Sequence, residues 1–158
     1  MSRIVPCLWF DGQAEEAAKL YVSLLPDSRI DGVMRSPADT PSGPAGSVLT
    51  VDFTLAGQPF LGLNGGPQFP FTEAVSFTIK CEDQAEVDRL WTALTEGGAA
   101  VQCGWLKDRF GVSWQIVPTA LYGMLASPDG KKAKRAMEAM MQMVKLDLAA
   151  LRKAYDGG

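Results

Sequence analysis

Apolar and polar residues alternate along several short segments, which is the pattern of half-buried β-strands. The clearest case is EAVSFTIKC at residues 73–81, where apolar side chains occupy every second position from Val75. Two other segments repeat apolar residues every three to four positions, as amphipathic helices do. We therefore predict helices over residues 13–25 and 83–96.

The predicted elements follow the same order twice. Further strands are predicted over residues 3–10, 29–34, 47–55, 59–64, 100–105 and 111–118. The tripeptide QAE opens both helical segments, at residues 13–15 and 84–86, an offset of 84 − 13 = 71. The repeated order predicts an α+β protein of tandem βαβββ modules. We place module one at residues 1–68 and module two at 69–126, together forming one domain over 1–126.

The remaining segment, residues 127–158, is predicted to be a C-terminal helix. SPDG at 127–130 is typical of a helix start, and a methionine-rich apolar stripe follows at helical spacing. Three interpretations stay open. The helix could pack on its own domain, form a dimer arm through its flexible methionines, or be the working surface of an interaction module.

The composition restricts the chemistry. There is no histidine among the 158 residues, which removes the usual general base and the commonest zinc ligand. A net charge of −3 without a basic stripe argues against nucleic acid as a partner. The chain lacks a long apolar run and a signal peptide, so we expect a cytoplasmic protein with no membrane partner.

The three cysteines fit that expectation as reduced thiols. Cys7 and Cys81 lie in predicted strands and are expected in the core, whereas Cys103 lies beside a glycine and is expected to be more exposed.

Three predicted strands carry small polar side chains on one face. The polar positions are Thr50, Asp52 and Thr54 in one strand, Ser76 and Thr78 in the next, and Ser113 and Gln115 in the last. This face could simply meet water, or, if the sheet curls, it could line a cup that orients a small ligand. Asp52 is the one carboxylate of the set and so the one candidate base.

Three loop segments contain residues that could serve chemistry or motion. LNGGPQ at 63–68 is not followed by a phosphate-binding turn and helix, so a nucleotide or S-adenosylmethionine site of the Rossmann type is not supported. KDRF places Lys107, Asp108 and Arg109 at a turn, expected to be a solvated hairpin tip. SPADTPSGPAG at 36–46 is expected to be a mobile loop.

Four segments together resemble one family, the PhnB-like proteins. They are FDGQAEEAAKLYVSLLPDSRI, SFTIKCEDQAEVDRLW, CGWLKDRFGVSWQIVP and KAKRAMEAMMQMVKLDLAAL. Members are also described as 3-demethylubiquinone-9 3-methyltransferase domain proteins and belong to the glyoxalase/bleomycin-resistance, or vicinal oxygen chelate, superfamily. The resemblance implies paired modules with curved mixed sheets around a cup, commonly completed as a homodimer.

The resemblance also implies a metal site in related enzymes. Its histidine and acidic ligands would fall near Ile4, at Leu63 or Asn64, near Ser76 and at Gln115, and none of these is a strong ligand. We therefore expect no metal and no cofactor.

The preferred hypothesis is a homodimer that binds a small organic molecule in its cups. The expected ligand contacts are Ser76, Thr78, Ser113, Gln115, Asp52 and Trp9, with Trp105 and Phe110 nearby as apolar wall. The alternative is an enzyme of the superfamily, either metal-dependent through Asp52 and Glu73 or metal-free with Asp52 as base. The PhnB name points to phosphonates, yet the sequence has no cluster of Arg or Lys suited to one.

Overall fold

A computed structural model describes residues 2–158 and divides the chain into two compact units, Met1–Phe71 and Thr72–Gly158. Each unit contains the predicted order of one strand, one helix and three strands, so the tandem α+β organisation is confirmed. The first unit has β1 (Cys7–Phe10), α1 (Ala14–Leu24), β2 (Arg29–Arg35), β3 (Val48–Leu55) and β4 (Gln58–Asn64). The second has β5 (Phe77–Cys81), α2 (Gln84–Thr95), β6 (Ala99–Ala100), β7 (Trp105–Lys107) and β8 (Ser113–Pro118).

The two sheets have equivalent topologies. The strand order is β1-β4-β3-β2 in the first unit and β5-β8-β7-β6 in the second. In each, the first strand pairs in parallel with the last, and the other pairings are antiparallel. A first strand that pairs with the last one needs a crossover, which the helix of each unit supplies.

The core of the first unit lies between α1 and its sheet. The helix buries Ala14, Ala17, Ala18 and Tyr21, three of which are too small to hold the helix away from the strands. A Cβ on Gly62 would lie 3.2 Å from that of Ala14, so a glycine in β4 lets the helix approach closely. The second unit repeats this arrangement with larger residues, burying Val87, Leu90 and Leu94 of α2.

Three predicted strands begin too early. In the structure β1 starts at Cys7, β5 at Phe77 and β8 at Ser113. Val75 is 62% exposed rather than on a buried face.

The strand predicted over residues 100–105 is wrong in part. Residues 101–104 form a turn between β6 and β7, because Cys103 and Gly104 have φ angles of 60° and 83°. These left-handed values are incompatible with an extended strand. The turn also binds a later segment of the chain. The backbone N–H groups of Cys103 and Gly104 donate to the carbonyls of Met143 and Val144, each at 2.8 Å.

Three helices follow β8, and the last two of them lie within residues 127–158, where a single helix was predicted. The three helices are α3 (Ala120–Leu125), α4 (Gly130–Met141) and α5 (Leu148–Asp156). The predicted start is confirmed, because the Asp129 carboxylate caps α4. The single long helix is wrong: Asp147 caps a new helix by accepting from the Ala150 N–H at 2.9 Å.

These three helices build a core within the second unit. It contains Val117, Leu121, Met124, Ala136, Leu146, Leu148 and Leu151. Arg135 of α4 also donates to the carbonyls of Ala154 and Tyr155 at 3.0 and 2.8 Å, which joins α4 to the end of α5. The tail thus packs on its own unit, while Met137, Met141 and Val144 stay exposed. Within residues 2–158, no helix is long and apolar enough to cross a membrane.

Candidate functional site

The first unit contains a cavity of about 430 Å³. Its walls come from β1, β3, β4 and the loops after β2 and β4. The apolar lining residues are Trp9, Pro41, Leu49, Leu63 and Phe69, and the polar ones are Ser42, Asn64 and Gln68. A concave, mainly apolar surface with few polar groups is the usual form of a small-molecule site.

Two aromatic rings form one corner of this cavity. The ring centroids of Trp9 and Phe69 lie 5.0 Å apart with an interplanar angle of 78°, an edge-to-face pair. Phe69 is nevertheless 64% exposed. The Trp9 ring rests on the backbone of Gly65, where an added Cβ would lie 2.3 Å from ring atoms. The glycine is therefore needed for the position of this ring.

The protein already uses most polar groups around the cavity. The Trp9 Nε1–H donates to the carbonyl of Gly66 at 2.8 Å. Asn64 is buried, and its Oδ1 accepts from the first N–H of α1, on Ala14, at 2.9 Å. Its Nδ2 donates to the carbonyl of Val48 at 3.0 Å. Asn64 is thus a structural residue that caps α1, whose own N-cap residue Gln13 makes no side-chain bond.

The loop that carries Pro41 and Ser42 is hydrogen-bonded internally. The backbone of Thr40 pairs with Gly43 in both directions, at 2.9 and 3.1 Å. The Asp39 carboxylate accepts from the Ala45 N–H at 2.8 Å. Both ends of the loop are joined where the Ser36 N–H donates to the carbonyl of Ser47 at 2.8 Å. These bonds give the cavity wall a defined shape; mobility of this loop stays a prediction.

Of the predicted ligand contacts, Trp9 lies in this cavity and Asp52 does not line it. Asp52 is exposed in the middle of β3, opposite Leu61 of β4. The alternation predicted for β3 is confirmed in that Val51, Phe53 and Leu55 are buried. Thr54 is also buried, and its hydroxyl donates to the Asp31 carboxylate at 2.6 Å.

The other four predicted contacts lie in the second unit: Ser76 directly precedes β5, Thr78 lies in β5, and Ser113 and Gln115 lie in β8. The Gln115 Nε2 donates to the Ser76 hydroxyl at 3.0 Å, and Thr78 is the register partner of Gln115. Ser113 is only 2% exposed, and its hydroxyl has no hydrogen-bond partner among the described residues. These residues form a polar row on the second sheet, and ligand binding by them stays a prediction.

The apolar wall expected beside this row is only partly buried. Trp105 and Phe110 have intermediate exposure, and Trp105 is the β7 register partner of Gln115. The Arg109 guanidinium lies 4.8 Å from the centroid of the Phe110 ring.

The residues do not fit the metal site that the resemblance implies. Within residues 2–158, no three His, Cys, Asp or Glu side chains come together in a group that could hold a metal ion. Ile4 is 84% exposed, Leu63 is part of the apolar wall, and Gln115 is bonded to Ser76. Glu73, named in the enzyme alternative, instead pairs with Lys107, which holds the pKa of this carboxyl below its usual range.

Asp108 is not a solvated turn residue, contrary to expectation. It is 3% exposed, and its carboxylate accepts from the N–H groups of Phe110 and Val112 at 2.9 and 3.0 Å. It also accepts from the Trp114 Nε1–H at 2.9 Å. A carboxylate satisfied by donors in this way organises the turn and fixes an indole, which is a structural role.

The cysteine prediction is confirmed for Cys81 and wrong for Cys7, which is more exposed than Cys103. Cys81 is buried, and burial followed by the charge of Glu86 raises its pKa to about 12. Cys103 has intermediate exposure. Cys7 is exposed rather than in the core, because it lies in an edge strand whose alternating positions Leu8 and Phe10 are the buried ones.

Most residues of the cavity were missed from the sequence. Leu49, Leu63 and Phe69 have no chemical motif, and GGPQFPF looks like a plain loop. One signal was available. Phe69 is an aromatic residue in a proline- and glycine-rich segment, where no predicted helix or strand accounts for it.

Comparisons with known proteins place the chain in a family. The family model described as 3-demethylubiquinone-9 3-methyltransferase matches residues 2–117. The PhnB protein of Bacillus cereus, also described by that methyltransferase name, is 35% identical with a TM-score of 0.68, over 74% of this chain and 99% of that one. Protein PA1353 of Pseudomonas aeruginosa is 23% identical with a TM-score of 0.62, over 75% and 98%, and supports the fold alone.

No curated protein matches the sequence. The family match ends at residue 117, so the terminal segment that contributed to the resemblance lies outside it. The match, the Bacillus cereus relative and the repeated modules agree with the resemblance found in the sequence. The chain belongs to the PhnB-like, 3-demethylubiquinone-9 3-methyltransferase family, and it shares the α+β fold of the Bacillus cereus PhnB protein.

Proposed function

We propose that this protein binds a small organic molecule, without a metal ion, in the cavity of its first unit. The observation that carries the proposal is the apolar cavity of about 430 Å³ lined by Trp9 and Phe69. This volume lies in the range of about 300–1,000 Å³ typical of small-molecule sites. The Phe69 side chain is 64% exposed, so its ring is an apolar surface that a ligand would cover.

The proposal does not extend the family's methyltransferase description to this chain. Its sequence has no glycine-rich strand–turn–helix motif for S-adenosylmethionine. It also does not assign an enzymatic reaction, because no general base lines the cavity among the described residues. The homodimer and the cytoplasmic location expected from the sequence are parts of the proposal; the unpaired cysteines support the latter.

The test is a titration with N-phenyl-1-naphthylamine, a neutral aromatic dye whose fluorescence rises in apolar sites. We expect saturable binding of one dye per chain. Removing one aromatic wall in Trp9→Ala or Phe69→Ala forfeits about 1.5–3 kcal/mol of apolar contact. We therefore expect each substitution to raise the dissociation constant at least about ten-fold.

The control is Val75→Ala, which removes an exposed apolar side chain in the other unit. Its dissociation constant should match that of the unmodified protein, and circular dichroism should show that all variants are folded. Binding that is not saturable, or that is unaffected in both aromatic variants, would refute the proposed site.

A further inference from the structure

The cavity of the first unit has a specific chemical character: none of the described residues that line it has a charged side chain. The basic residue that precedes the lining loop, Arg35, donates to the carbonyl of Gly46 at 3.0 Å. An anionic ligand in this cavity would therefore be partly desolvated without a cation to pair with it, which is costly.

The hydrogen-bonding capacity of the wall is also small. The Trp9 indole N–H and both ends of the Asn64 amide are bonded to the protein's own backbone. The remaining polar side chains are Ser42, whose hydroxyl lies 3.0 Å from that of Thr40, and the exposed amide of Gln68. Both belong to loops and are more exposed than the buried Asn64, so we expect a ligand's polar contact there.

The aromatic corner selects for shape. The planes of the Trp9 and Phe69 rings are 78° apart. A flat ligand ring that stacks parallel to one of them is therefore nearly perpendicular to the other and meets it edge to face. Both arrangements are favourable for aromatic pairs, and each is worth about 0.5–1.5 kcal/mol beyond area burial. Leu49 and Leu63 complete the apolar wall.

We infer that the ligand is a neutral, flat aromatic molecule with a hydrogen-bonding group near Ser42 or Gln68, and that phosphonates and other small anions are excluded. This inference rests on the proposed function, since it names the class of molecule that the same cavity takes.

The experiment compares two dyes that share one ring skeleton. N-phenyl-1-naphthylamine is neutral, and 8-anilino-1-naphthalenesulfonate is the same molecule with one sulfonate. We expect the neutral dye to bind at least about ten-fold more tightly, because the sulfonate finds no cation in the cavity. Methylphosphonate at millimolar concentration should not displace the neutral dye.

Two substitutions at one position separate charge from shape. Gln68→Lys places a cation in the loop and should lower the dissociation constant of the sulfonate dye at least about five-fold. The dissociation constant of the sulfonate dye divided by that of the neutral dye should fall by at least the same factor, because the new cation attracts only the charged dye. Gln68→Met, which has a similar length and no charge, should not improve sulfonate binding.

The outcomes distinguish this inference from the proposed function. If the sulfonate dye binds as tightly as the neutral one and Trp9→Ala weakens both, the ligand class is wrong and the site stands. The ligand class is also wrong if Gln68→Lys does not improve sulfonate binding. If Trp9→Ala and Phe69→Ala leave the binding of both dyes unchanged, the proposed function fails and this inference fails with it.

Discussion

At the scale of single residues, the same amino-acid type has different roles that depend on burial. Asp52 is exposed in a strand, whereas Asp108 is buried and accepts hydrogen bonds from two backbone groups and an indole. The sequence offered Asp52 as the chemically interesting carboxylate, because the strand pattern singles it out. The alternation of polar and apolar residues in strands does not predict that the turn between β7 and β8 buries Asp108.

We expect Asp108→Asn to lower the free energy of unfolding by about 2 kcal/mol. The amide oxygen still accepts from the backbone, but an amide N–H₂ in place of the second oxygen leaves the Trp114 indole without its acceptor. Asp108→Ala, which removes all these acceptors, should cost about 3–4 kcal/mol. Urea unfolding followed by tryptophan fluorescence measures both losses.

Asp11→Asn is the matched control, because Asp11 is exposed and the charge change is identical. If Asp108→Asn were no more destabilising than Asp11→Asn, the buried carboxylate would not hold the turn as described.

At the scale of elements, α2 holds the terminal segment in place through two side chains, Gln84 and Asp88. The Gln84 Oε1 accepts from the Leu148 N–H at 2.7 Å, and its Nε2 donates to the Leu146 carbonyl at 3.0 Å. Lys145 adds an ion pair with Asp88 at 2.8 Å. Together with the bonds from Cys103 and Gly104, these contacts fasten the link between α4 and α5 to the second unit.

We expect Gln84→Ala to increase hydrogen exchange across residues 143–150, because two of the bonds that hold this link are lost. The free energy of unfolding should fall by about 2 kcal/mol. Exchange measured by mass spectrometry checks the effect, and Gln58→Ala, an exposed glutamine in the first unit, is the control. Unchanged exchange in residues 143–150 would contradict the role of Gln84.

The ion pair beside Gln84 gives the link a pH dependence. Hydrogen bonds from Lys145 and Gln84 hold the pKa of Asp88 below its ordinary value of 3.8. A lowered pKa means that the stabilisation is complete above the ordinary value and is lost as the pH falls through the lowered one. The pair is exposed, so this contribution is small.

At the scale of the whole molecule, the oligomeric state and metal content remain predictions. The superfamily resemblance leads us to expect a dimer, and the absence of a suitable donor group within residues 2–158 leads us to expect no stoichiometric metal. Native mass spectrometry measures both masses, and the denatured chain provides the reference. A monomer at micromolar concentration, or a bound divalent ion, would contradict the respective expectation.

The order of elements could be predicted from the sequence because it depends on periodicity, which is local. The helices α1 and α2 were predicted to within a few residues at each end, and so was β4. The break between α4 and α5 was not, since its causes are contacts with Gln84 and Gly104, far away in the sequence. The cavity was missed for a similar reason: Leu49, Leu63 and Phe69 become a site only when strands and loops bring them together.

The fastening of the C-terminal helices has a consequence for how far the two modules have diverged. The QAE offset aligns Asp88 with Ala17, since 88 − 71 = 17, and Ala17 is completely buried. Gln13, the counterpart of Gln84, is exposed. The first module therefore has no equivalent pair of side chains to hold such an extension. A chain that joined the helical extension to the first module instead would lack both the amide and the carboxylate that hold the link, so the extension depends on the second module.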